Sequence, residues 1–97
     1  MNESVVRQRA EAHAEAMARG DTKQAGSDLT KEAMATAPAV MKEIPRKLDS
    51  AAVTAVVHAG DVWVAHIVYR GEGRETKVSS AWEERDGRPM ITALEAL

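Results

Sequence analysis

The sequence predicts a single α+β domain, two to three N-terminal helices packed on one face of a four-stranded antiparallel meander. Three observations predict it. Residues 4–48 carry apolar side chains at helical spacing, and residues 51–96 are rich in Val, Thr and aromatic residues. Short Gly-containing turns then divide that second half into four runs. Ninety-seven residues leave room for one core, so 1–97 is one domain.

The first helix is expected from Val5 to Arg19, a run of strong helix formers without Gly or Pro. Val6, Ala10, His13, Ala14 and Met17 share one of its faces. Gly20 is a stop signal. Asp21 with Gln24 three residues on is a capping-box variant that opens a short second helix, broken at Gly26, Ser27 and Asp28. Asp21 and Asp28 both read as N-caps. A third helical segment starts after Thr30. Pro38 inside it predicts a kink, or a fresh start with Pro38 in a first turn. Pro45 closes the helical half.

The strands are expected at Ala52 to His58, Val62 to Arg70, Glu75 to Arg85 and Arg88 to Glu95. Asp86-Gly87 is a two-residue hairpin turn, because type I′ geometry needs positive φ. It sets Trp82 opposite Ile91. A loop over Gly71 to Arg74 pairs Arg70 with Glu75, an attractive cross-strand pair. Alternation along the strands then sends Trp63, Ala65, Ile67, Tyr69, Ser80 and Trp82 toward the helices. A two-residue turn at Gly60-Asp61 adds Thr54, Val56 and His58 to that side. The opposite face receives Val53, Ala55, Val57, Val62, Val64, His66, Val68, Ala81, Met90, Thr92 and Leu94. A face so apolar predicts a partner. A two-fold homodimer through Val57, Val62, Val64, His66, Val68 and Leu94 is the expectation, with His66 near the interface. Protonation of His66 there would weaken association below about pH 6.

The core is thin. With no Phe, two Trp, one Tyr and much Ala, it leans on Trp63, Tyr69 and Trp82. There is no Cys, which excludes disulfides and thiolate chemistry and suits a reducing compartment. Residues 1–20 are too interrupted by charge for a signal peptide, and no apolar run reaches spanning length, so a cytoplasmic location without membrane attachment is expected. The net charge is −2, and the basic cluster of Lys42, Arg46 and Lys47 has no aromatic partners, which argues against nucleic acid.

Helices followed by a meander that closes in the hairpin W-x-x-x-D-G-x-P-x-I (Trp82 to Ile91) resembles the nuclear transport factor 2-like superfamily, which includes SnoaL-like and ketosteroid isomerase-like domains. The ARGD stretch, Ala18 to Asp21, is also similar to those domains. The resemblance implies a cone-shaped pocket between helices and sheet, here shortened because the chain has no room for the hairpin many members insert before the third helix. Members include isomerases, polyketide cyclase-like proteins, dehydratases and non-catalytic binding domains, and the fold does not choose among them. Catalytic members place Asp, His or Tyr inside the cone. No complete set transfers to this sequence, and Ala93 stands near where several members carry an acid.

The chemistry-bearing candidates are few. His13, His58 and His66 do not converge, so no metal site is expected, and no cofactor motif is present. His58, His13 and Tyr69 are the candidates for acid–base work, against a default of hydrogen-bonded structural roles. Trp63, Tyr69, Ser80 and Trp82 are expected to wall a small apolar pocket, with the Tyr69 and Ser80 hydroxyls as polar handles. Two functions follow. One is binding of a small apolar ligand or a protein partner by a non-catalytic dimer. The other is a small lyase or isomerase acting on a hydrophobic metabolite through a pocket His or Tyr.

Overall fold

The computed structural model describes all 97 residues. Three helices, α1 (Glu3–Ala18), α2 (Thr22–Gly26) and α3 (Lys31–Met41), precede four strands, β1 (Ser50–Ala59), β2 (Val62–Gly71), β3 (Arg74–Arg85) and β4 (Arg88–Ala96). The strands form one antiparallel sheet in the order β1-β2-β3-β4. The expected α+β class and meander are therefore what the chain adopts.

Each helix has an identifiable beginning. The Asn2 side chain accepts from Val5 N–H at 2.9 Å, and Asp21 accepts from Gln24 N–H at 3.1 Å. Thr30 accepts from Ala33 N–H at 3.3 Å. The end of α1 is a Schellman motif: Gly20 at φ 76° bonds Met17, and Asp21 bonds back to Ala16. The hairpins follow the turn chemistry. Glu72-Gly73 and Asp86-Gly87 both take positive φ at two successive residues, as type I′ requires. Arg70 pairs with Glu75 and bonds it at 2.7 Å, while Trp82 stands opposite Ile91. Gly71 has a different reason to be glycine. A Cβ there would collide with the backbone carbonyl of Lys47, so the chain entering β1 lies directly against β2.

Pro38 corrects one expectation: α3 runs through it without a new start. The helix forgoes one backbone hydrogen bond at that point. Pro38 is exposed to solvent on one side and contributes to the wall of a cavity on the other.

Two bulges correct the face assignments. In β1 the register shifts between Val53 and Ala55, and in β4 it shifts opposite Ala81 and Trp82, at Thr92. A bulge inserts one residue and inverts the alternation beyond it. Thr54, expected inward, is exposed and donates to the His66 carbonyl at 3.5 Å. Val53 and Leu94, expected on the outer face, pack on the core instead. Leu94 is thus removed from the expected dimer surface. The outer face keeps Val57, Val62, Val64, His66 and Met90, with Val57 52% exposed, whereas Val68 is buried within the chain itself.

The core lies in two parts between helices and sheet. One gathers Val6, Ala10, Ala33, Val56, Ala65, Trp82 and Ile91. The other gathers Ala14, Val40, Ile44, Ile67, Tyr69 and Val78. Helix α1 lies over β1 and β2, and α3 over β4. The segment between α2 and α3 is tied to β4 by a parallel bridge, with Ile91 N–H donating to the Asp28 carbonyl (2.7 Å) and Thr30 N–H to the Ile91 carbonyl (3.0 Å). That bridge fixes where the Asp28 side chain points.

Candidate active site and ligand cavity

A cavity of about 260 Å³ opens between the three helices and β2, β3 and β4. Eleven of its fifteen lining residues are hydrophobic and none is Lys, Arg, Asp or Glu, so its wall carries no fixed full charge. Its mouth is marked by Met34 and Met41 of α3, both on the cavity wall and 54% and 43% exposed. Met17 of α1 and Leu94 of β4 line the interior. Methionine is flexible and polarisable, so such a lining adapts to ligands of differing shape.

His13 and Tyr69 supply most of the polarity. His13 is 5% exposed and sits at the junction of the two core clusters, edge-on to Trp82 at 6.3 Å and on the cavity wall. Its Nδ1 is 3.0 Å from Asp28 Oδ2. Asp28, 4% exposed, also holds Arg9 at 3.3 Å and Arg88 at 3.5 Å. A carboxylate at Nδ1 fixes the imidazole's orientation and places the ring proton on that side, leaving a lone pair on Nε2 in the neutral ring. Nε2 has no protein partner, yet the only sealed and unpartnered side-chain nitrogen or oxygen is Arg9 Nε. Nε2 therefore keeps some accessible surface, on a residue that lines the cavity. The same reasoning applies to the Tyr69 hydroxyl, which has no protein partner on a residue 2% exposed. Burial pushes the Tyr69 phenol far above its usual range, so it stays a protonated donor.

The pocket expected among Trp63, Tyr69, Ser80 and Trp82 is displaced. Of those four only Tyr69 lines the cavity. Ser80 is fully buried, its hydroxyl donating to the Ala65 carbonyl at 2.9 Å and accepting from Trp82 Nε1–H at 3.0 Å. With both groups satisfied, Ser80 and Trp82 hold no free polar atom for a ligand. Trp63 is half-buried at the end of the sheet, where the exposed His58 stacks on it at 4.2 Å. His58 therefore lies outside the cavity, and His66 is on the outer sheet face. No group of three or more potential metal ligands comes together.

Asp28 is the residue that sequence reasoning misassigned. It caps no helix, because Thr30 caps α3. The available signal was that Thr30 already filled the capping role, which left the Asp28 carboxylate unassigned. Arg88 belongs to the final hairpin, so that hairpin does contribute to the site: it braces Asp28 and also donates to the Ser27 carbonyl at 3.1 Å.

In comparisons with known proteins, no family model, no curated protein and no solved structure matches this chain. No helix is long and apolar enough to cross a membrane.

Proposed function

We propose that this domain binds a small apolar molecule in the cavity under α3, as a shortened nuclear transport factor 2-like protein of the cytoplasm. The observation that carries this is the uncharged, methionine-rich cavity between helices and sheet. An open-mouthed cleft of this volume, lined almost wholly by apolar side chains between helices and sheet, has the size and character of small-ligand sites. Thermal unfolding against a panel of small neutral apolar compounds, plain hydrocarbons and singly hydroxylated ones alike, tests it. A binding compound at a hundred times its Kd stabilises by about 2.7 kcal/mol. A melting temperature unmoved by every compound of fitting size overturns the reading.

A second reading, a lyase or isomerase for a hydrophobic metabolite, is favoured by one specific observation. His13, oriented by Asp28, presents an open nitrogen to the cavity, and Tyr69 a protonated hydroxyl. The first would take a proton and the second would support a developing oxyanion.

The same proposal includes a two-fold dimer through the outer sheet face. Val57, Val62, Val64 and Met90 remain there after the bulges are taken into account, and Val57 is the one large hydrophobic residue of the strands that is exposed. Partial burial of several such side chains, each worth roughly 1.5–3 kcal/mol when fully buried, outweighs a modest association cost. The wild type is expected to sediment as a dimer and Val64→Glu as a folded monomer. A wild-type monomer at high micromolar concentration overturns the dimer.

A further inference from the structure

We infer that the cavity's ligand is a neutral apolar molecule with a single hydroxyl group, which donates to His13 Nε2 and accepts from the Tyr69 hydroxyl. The inference rests on the reading that the cavity binds a small apolar molecule, and it adds the ligand's chemical class. Size comes from volume. An apolar cavity of about 150 Å³ holds benzene, so the present one suits roughly ten to twelve heavy atoms, a bicyclic skeleton. Neutrality comes from the wall. No charged side chain lines it, and the two guanidinium groups beside the His13–Asp28 pair, Arg9 and Arg88, are already committed to Asp28. A charged ligand would lose hydration without compensation.

The hydroxyl comes from the two open polar atoms. Asp28 holds the Nδ1 side of His13, so Nε2 of the neutral ring is an acceptor. Tyr69 is a donor with no partner in the protein. A hydroxyl is the smallest group that satisfies both, one through its hydrogen and the other through its oxygen. A pure hydrocarbon would bury both atoms unpaired, and a site with unpaired polar atoms discriminates against the ligand that leaves them so.

Isothermal titration with naphthalene, naphthol and naphthoate tests this. Naphthol is expected to bind about tenfold or more tighter than naphthalene, the size of one to two hydrogen bonds, and tighter than naphthoate. His13→Phe and Tyr69→Phe should each reduce naphthol affinity toward that of naphthalene. Tyr69→Phe removes an oxygen that no protein group bonds, so its melting temperature should stay near wild type, which separates lost recognition from lost folding. Equal binding of naphthol and naphthalene, by wild type and variants alike, overturns the hydroxyl but leaves the apolar cavity as a binding site. Tightest binding of naphthoate overturns neutrality. Binding of none of the three overturns the ligand-binding reading and this inference together.

Discussion

Trp82→Ala is expected to lower the free energy of unfolding by about 3–5 kcal/mol, the range for deleting a large buried aromatic. Trp82 is fully buried and is the largest such side chain in the protein. It touches the chain's most valuable contacts at once. It stands opposite Ile91 across β3 and β4 and opposite Trp63 across β2 and β3, and it meets the His13 ring edge-on. Its indole N–H donates to Ser80, so truncation also removes a partner from a buried hydroxyl. The neighbours in its cluster include Ala10, Ala33 and Ala65, which are too small to collapse into the space left. Small domains have only roughly 0.05–0.15 kcal/mol of stability per residue, so the loss is a large share of the whole. At roughly 4–8 °C per kcal/mol the melting temperature falls by tens of degrees or folding is lost. Trp63→Ala, half-buried and stacked on an exposed His58, is the control and should cost clearly less. Similar losses for the two, in urea or heat, would contradict the packing described above.

That Trp82 faces Ile91 was legible in the sequence, and the reason is local. An Asp-Gly turn demands a two-residue loop, and a two-residue loop sets the register of its hairpin. The opposite charges of Arg70 and Glu75 did the same for the middle hairpin. The caps at Asp21 and Thr30 and the stop at Gly20 were legible because each acts on backbone groups a few residues away. The two bulges were not, since each falls on a Thr and Thr suits a regular strand as well as a bulged one. Their consequence was not local: they carried Val53 and Leu94 from the outer face to the core, and Leu94 onto the cavity wall. The site was hidden for a related reason. His13 and Asp28 are fifteen residues apart in sequence, and Arg88 is farther still. What brings them together is the bridge between residues 28–30 and β4, a contact no periodicity announces. The cavity lies away from Trp63, in the methionine-lined space under α3. The Ser80 hydroxyl, which looked like a pocket handle, found the Ala65 carbonyl instead.

Asp28→Ala is expected to destabilise the fold by roughly 2–3 kcal/mol and to weaken binding of a hydroxylated ligand in the same variant. The stability loss has a defined source. Removing the carboxylate leaves the buried His13 Nδ1 without a partner in either tautomer, which costs about 1–3 kcal/mol. Arg9 and Arg88 add less, because their side chains are 38% and 46% exposed and water screens them. Arg9 Nε, the sealed atom of that group, is already without a partner, so losing Asp28 deprives this half-exposed guanidinium of the one anion it bonds. The backbone bonds from Asp28 and Thr30 to Ile91 do not involve the carboxylate and should hold the segment in place. The binding loss works through orientation. Without Asp28 the imidazole has no reason to keep its proton on Nδ1, and a ring with its proton on Nε2 offers the cavity a donor where a lone pair is needed. Asp28→Asn separates the two effects. Its amide oxygen can still accept from Nδ1–H and restore much of the stability, while the buried charge that balanced the two arginines is gone. The expected order in thermal unfolding is wild type, then Asn, then Ala. An imidazole nitrogen-15 spectrum should show the Nδ1-protonated tautomer in wild type and a mixture in Ala. If Asp28→Ala melts like the wild type and keeps that tautomer, the carboxylate does not position His13, and the acid–base reading of the cavity loses its support.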